Sequence, residues 1–238
     1  MIGLTRTLVA LALVAIPASA FAAQPAAPLQ GPTAPAAPAA PADWREQVRA
    51  FAAQHFRNPA WGRSHNERDY LLARELAYTD GARFDDDVLF AAAYLHDLAA
   101  FSPWEKPDRD HSDVAAEVVG PILQQAGFPM AKLAAVQGAI REHMYYRDPH
   151  AVEATYLHDA DALDWLGAVG VARVMALVDP AGGQPDGPAM LKMLQDNLRD
   201  VPARIVSPAG KAMMPARRAE LESWLGQLAG ETRGYAAL

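Results

Sequence analysis

Between Val88 and Leu98 the chain reads Val-Leu-Phe-Ala-Ala-Ala-Tyr-Leu-His-Asp-Leu. Wound as a helix, this run is apolar nearly all round, and such a helix belongs at the centre of a fold. It ends on His96-Asp97, and burying a carboxylate beside an imidazole is costly unless both groups are paired. A divalent cation pairs with both at once. His65 lies at the start of a helical pattern upstream, and Asp161 lies inside another downstream. The chain must therefore surround one apolar helix with others and bring polar ligands to its end.

The remaining patterns supply those helices. Val48, Phe51, Ala52 and Phe56 form an apolar stripe at helical spacing, broken by Asn58-Pro59 and Gly62. Ser64 with Glu67 has capping-box spacing and predicts the start of a helix carrying Leu71, Leu72, Leu76 and Ala77. Asp85, Asp86 and Asp87 crowd the start of the central run, where the helix dipole favours carboxylates. Further helices are predicted over about 110–125, 131–144, 152–177, 188–199 and 214–228, with a loop at Asp179-Pro180 to Gly187. The 152–177 helix holds Gly167 and Gly170 inside it, which close packing would offset. With no strand pattern, repeat or heptad, the expected fold class is all-α.

Composition narrows the chemistry. The 238 residues include no cysteine, so disulfides and thiolate metal sites are excluded and a metal must be held by His, Asp and Glu. A net charge of −7, with only four lysines and no basic run, disfavours a nucleic-acid polymer as partner. A small phosphorylated substrate needs only one or two local cations. At the N-terminus, Arg6, the apolar Leu8–Ile16 stretch and the small-residue sites Ala18-Ser19-Ala20 and Ala20-Phe21-Ala22 read as a cleaved signal peptide over 1–22. The apolar run is short for a membrane span, and no stable membrane anchor is expected after cleavage. Residues 23–43, mostly Ala, Pro and Gln, read as a linker, leaving one domain over 44–238. The expected location is periplasmic or secreted.

His65 in Gly-Arg-Ser-His-Asn-Glu-Arg-Asp-Tyr, His96-Asp97 in Ala-Tyr-Leu-His-Asp-Leu, and Asp161 in His-Asp-Ala-Asp-Ala-Leu-Asp-Trp-Leu-Gly-Ala-Val-Gly-Val-Ala-Arg together resemble the HD-domain superfamily of metal-dependent phosphohydrolases. The resemblance covers about residues 45–180, with its motif core at about 60–180, and implies a compact helical bundle with the metal between central helices. It implies His65, His96, Asp97 and Asp161 as metal ligands. Asp161 competes with Asp159 and Asp164 but occupies the apolar side of its helix, in the Ala-Asp-x-Leu stretch where the family's last ligand falls. Two imidazoles and two carboxylates suit one divalent transition metal, Mn, Fe, Co, Ni or Zn. A second ion is less favoured, because the two-metal motif is incomplete.

The resemblance also places His111 and His143, with Asp97, in the active site, the two histidines as substrate or proton-transfer groups. Arg68, Lys106, Arg109 and Arg141 are the candidate substrate-binding cations, and Arg147 lies near the same positions. Arg68 is equally suited to orient a ligand. His55, His150 and His158 match no motif and are expected at the surface or behind the site. Trp104, Tyr145 and Tyr146 are candidates for a base- or sugar-binding pocket, with ordinary packing as the plainer expectation. The implied activity is hydrolysis of a small phosphate ester or anhydride, with a nucleotide the leading substrate. The alternatives are a non-catalytic metal- or ligand-binding module and, less favoured, oxidative chemistry at a two-iron centre.

Overall fold

Helix α3 (Asp86–Leu95) is the axis of the molecule, and every residue from Val88 to Leu95 is buried. The computed structural model describes residues 43–238; the expected signal peptide and nearly all of the linker lie outside the described residues. Asp85 caps α3 by accepting from the backbone N–H groups of Asp87 and Val88, and Lys132 Nζ lies 2.8 Å from both Asp85 and Asp87. The acidic cluster is thus paired at the positive end of the helix dipole. Around α3 pack α1 (Trp44–His55), α2 (Arg63–Thr79), α4 (His111–Ala126), α5 (Leu133–Glu142) and α6 (Val152–Asp164). Trp44 of α1 meets Phe90 edge-on at 5.3 Å, so the first helix is fastened to the central one.

Three further helices, α7 (Gly167–Met175), α8 (Gly187–Asp200) and α9 (Pro208–Glu231), complete the all-α fold; no strand occurs among the described residues. Asp159 of α6 ties α9 to the bundle by accepting from the backbone N–H groups of Val206 and Ser207 at 3.0 and 2.7 Å. None of the described helices is long and apolar enough to cross a membrane.

Several boundaries differ from the sequence expectation for local reasons. The helix expected over 152–177 is two helices, because Gly167 adopts φ +64° and turns the chain. At Gly170 a Cβ would lie 2.2 Å from the carbonyl oxygen of Trp165, so α7 comes too close to that corner for any side chain. Helix α2 begins at Arg63 with Gly62 at its N-cap and no side-chain cap; Ser64 is already helical and exposed. Leu71 points outward, at 55 % exposure, and leaves the apolar stripe. The last helix starts at Pro208, earlier than its apolar pattern, with the Ser207 side chain accepting from Gly210 N–H.

Candidate metal centre

His65 stands in the first turn of α2, His96 caps the end of α3, Asp97 follows it, and Asp161 comes from α6. All four are buried, and their donor atoms converge. His65 Nε2 lies 3.3 Å from His96 Nε2, 3.5 Å from Asp97 Oδ2 and 3.3 Å from Asp161 Oδ1. His96 Nε2 lies 3.3 Å from Asp97 Oδ2. Metal–ligand bonds of about 2.1 Å place neighbouring donors about 3 Å apart and opposite ones about 4.2 Å apart. The spacing therefore fits one divalent cation among these side chains.

The protonation pattern supports the same fit. His96 Nδ1 sits 2.8 Å from the Ala93 carbonyl oxygen and His65 Nδ1 sits 2.8 Å from Asp164 Oδ2. Each partner is an acceptor, so each Nδ1 carries the hydrogen, and in the neutral ring that a metal requires each Nε2 presents a lone pair. In the neutral rings two lone pairs then face each other at 3.3 Å with no proton between them, and Arg173 Nη2 lies 3.2 Å from His65 Nε2. An electron-pair acceptor resolves that arrangement, and the Nδ1 bonds hold both rings in the orientation a metal needs.

The second oxygen of Asp97 looks the other way. Asp97 Oδ1 lies 3.3 Å from His111 Nε2 and 3.9 Å from His143 Nε2. His111 opens α4 and remains partly exposed, whereas His143, at the end of α5, is fully buried. His143 Nδ1 donates to the Ile140 carbonyl at 2.7 Å, and its Nε2 has no hydrogen-bond partner. Asp97 therefore stands between two groups of imidazoles.

The charges follow from this geometry. Burial opposes ionisation of Asp97, but the His96, His111 and His65 rings around it hold its carboxyl well below the usual range. Burial also opposes charge on His65, yet Asp69, Asp161 and Asp164 hold its imidazole well above the ordinary value. His96 and His111 are raised against the same burial, chiefly by Asp97. His143 is lowered to about 3, by burial and then by the neighbouring His96, and stays neutral.

A cleft of about 220 Å³ opens onto the centre, lined by Asp97, His111, Asp161, Trp61, Trp165 and Arg173 among others. Arg173 is the cation the sequence reading missed. It comes from α7, its Nε donates to the Ala60 carbonyl, and its guanidinium lies 3.6 Å from the Trp165 ring centroid. Its Nη1 lies 3.2 Å from Asp164. Lys106 and Arg141 are instead exposed and Arg109 is forked onto Glu117; none of these three lines the cleft. Arg147 pairs with Asp110 and Asp113. Arg68 holds Asp164 through two bonds of 3.1 and 2.8 Å, behind His65.

Other expected residues also have definite places. Trp104 packs on Phe51 and His55, and Tyr146 donates to Asp110, so the aromatic walls of the cleft are Trp61 and Trp165. His150 is exposed beside Glu142. His158 is buried against Asp159, so of the two places expected for it the surface is excluded. Asp69, also unanticipated, is buried one turn after His65, with Oδ2 at 3.2 Å from His65 Nε2. The i,i+4 spacing to His65 was the available signal.

Comparison with known proteins places this geometry. Residues 64–166 match the HD domain family. A predicted HD superfamily hydrolase from an uncultured Thermotogales bacterium is 26 % identical, with a TM-score of 0.54 over 79 % of this chain and 90 % of that one. An HD-superfamily hydrolase from Bacillus thuringiensis is 22 % identical, with a TM-score of 0.56 over 79 % and 96 %. Bacillus subtilis YpgQ, solved in complex with ADP, is 19 % identical, with a TM-score of 0.61 over 80 % and 98 %. These last two likenesses concern the fold. No curated protein matches the chain in sequence. Its family match, its helical bundle and its histidine–aspartate centre agree: residues 64–166 of the chain are an HD domain.

Proposed function

We propose that the protein is a metal-dependent phosphohydrolase that cleaves a small phosphate ester or anhydride, with a nucleotide as the substrate class. The observation that carries this reading is the buried cluster of His65, His96 and Asp161, with Asp97 Oδ2 3.5 and 3.3 Å from the two imidazoles, beside a cleft that Asp97 and Asp161 line with an arginine and two tryptophans. A divalent ion held there by these residues would supply an acidified water and a Lewis acid for a phosphoryl oxygen. His111 is the group placed to deliver a proton, because it lines the cleft and is partly exposed, whereas His143 is sealed from it. Trp61 and Trp165 offer aromatic faces to a base, and Arg173 offers positive charge at the cleft wall. The ADP complex of YpgQ supports the nucleotide class for this chain by analogy of fold.

We place one transition-metal ion between His65, His96, Asp97 and Asp161. The native location proposed is the periplasm or the exterior, following the N-terminal pattern, and a scavenging nucleotidase or phosphodiesterase suits that location. Cell fractionation with mass measurement of the mature N-terminus tests the location.

The activity test is hydrolysis of nucleoside mono-, di- and triphosphates and generic phosphate esters. The metal-stripped protein is resupplied in turn with Mn, Fe, Co, Ni, Zn or Mg, with Asp97→Ala alongside. Metal-dependent turnover absent from Asp97→Ala is the expected result. Stoichiometric metal binding with no turnover on any substrate would favour a binding module. Two bound equivalents would make His111 and His143 ligands of a second ion.

A further inference from the structure

Asp69 presents a problem that the four expected ligands do not solve. It is fully buried on α2, and neither carboxylate oxygen has a hydrogen-bond partner. On the inward face of the helix it stands between the polar His65 and Asn66 one turn before and the apolar Leu72, Ala73 and Leu76 after, all of them buried. A carboxylate sealed among such residues without a donor is among the costliest arrangements in a protein interior. An apolar side chain would serve packing better, and the ionised carboxylate calls for a cationic partner.

The geometry shows where that partner lies. Asp69 Oδ2 is 3.2 Å from His65 Nε2 and 3.7 Å from His96 Nε2. Those are the two nitrogens whose lone pairs face each other across the centre. Donor atoms of His65, Asp69, His96 and Asp161 all lie within 4.8 Å of one another. Arg68 is engaged with Asp164, and Arg173 faces Asp164 through Nη1 and His65 Nε2 through Nη2, at 3.2 Å each; neither donates to Asp69.

We infer that Asp69 is a fifth protein ligand of the metal, making a centre of two imidazoles and three carboxylates. The inference rests on the metal-site reading above. Three carboxylates favour a six-coordinate, oxygen-preferring ion such as Mn²⁺ or Fe²⁺ over tetrahedral Zn²⁺. Five protein donors would leave little room on the ion for water or a phosphoryl oxygen, and the cleft wall at His111 and Arg173 would hold the rest of the substrate.

The test compares the full-length wild type, Asp69→Asn, Asp69→Val and Asp97→Ala, each stripped of metal. Mn²⁺ and Zn²⁺ affinities are measured by titration calorimetry, and Co²⁺ is used as a visible-absorption probe. Both Asp69 variants should keep wild-type circular dichroism and lose at least tenfold in Mn²⁺ affinity. They should lose less for Zn²⁺, and their Co²⁺ bands should intensify several-fold as the coordination number falls from six. Asp69→Asn is close in shape to the native side chain and decides the matter should Asp69→Val fail to fold. Mn²⁺ affinity within twofold of wild type, with an unchanged Co²⁺ spectrum, would overturn the fifth-ligand inference while leaving the site standing. A wild type that binds none of the three ions would overturn both.

Discussion

Asp164 touches none of the cleft, yet three cationic or donor groups converge on it: His65 Nδ1 at 2.8 Å, Arg68 through two bonds, and Arg173 Nη1 at 3.2 Å. It fixes the tautomer and orientation of His65, and such outer partners typically govern metal affinity by about 10–100-fold. Asp164→Asn should weaken metal binding by about that factor without abolishing it, as read by titration calorimetry. Unchanged affinity would mean that His65 holds its orientation by packing alone. A second contrast separates the two remaining histidines. His111→Ala should lower turnover by about 10²–10⁴-fold with metal content retained, and complete loss of metal would instead make His111 a ligand. Of these residues, His65, His96, Asp97 and Asp161 were legible in the sequence because their order along the chain forms a motif. Asp69 and Arg173 were not, because each belongs to a helix face set by tertiary packing. Arg173 was a lone charge in the apolar Gly167–Met175 stretch, a signal that its ring partner Trp165 explains only in three dimensions.

At the scale of the element, the corner between α6 and α7 matters most, because it carries Asp161 and Asp164 on one side and Arg173 on the other. The sequence pattern runs through this corner without interruption: apolar periodicity alone does not distinguish a glycine tolerated within a helix from one that ends it. Gly167 at φ +64° makes the turn, and the helical stretch resumes with Gly170 against the Trp165 carbonyl. Gly167→Ala should destabilise the protein by about 1–2 kcal/mol through the left-handed conformation. Gly170→Ala should cost more and also weaken metal binding, since its Cβ must push α7, and with it Arg173, away from the centre. Denaturant unfolding beside metal titration measures both effects. By contrast, the end of α4 agreed closely with expectation: Gly127 at φ +84° lets Phe128 N–H reach the Leu123 carbonyl, a closure that glycine chemistry dictates locally.

For the whole molecule, the centre couples folding, protons and metal. In the metal-free protein burial raises Asp69 to about 8, and His65 and His96 are raised against burial by the carboxylates around them. A group whose folded pKa lies above its unfolded value contributes stability below the unfolded pKa and loses it as pH rises through the folded one. Asp97 and Asp161, lowered by their histidine neighbours, act in the opposite sense, and their contribution is lost only on acidification below the ordinary carboxylate range. The metal-free protein should therefore lose thermal stability between about pH 5 and about pH 8. Metal binding requires the deprotonated ligands, so the rise in Tm on adding metal should widen over the same interval. A rise in Tm independent of pH would contradict that coupling. The general plan of an apolar central helix ending in His96-Asp97 was readable from the Val88–Leu98 run, because burial on all sides leaves little choice of position. The attachment of α9 through Asp159 was not readable, because backbone N–H groups at Val206 and Ser207 carry no sequence signature.

The central claim is that these buried histidines and aspartates exist to hold a metal. Its most direct test is equilibrium metal binding by the stripped full-length protein, wild type against Asp97→Ala, with circular dichroism on both. One tightly bound divalent ion in the wild type, none in Asp97→Ala, and the same helicity in each are expected. A wild type that binds no ion, or an Asp97→Ala variant that keeps full occupancy, would contradict it.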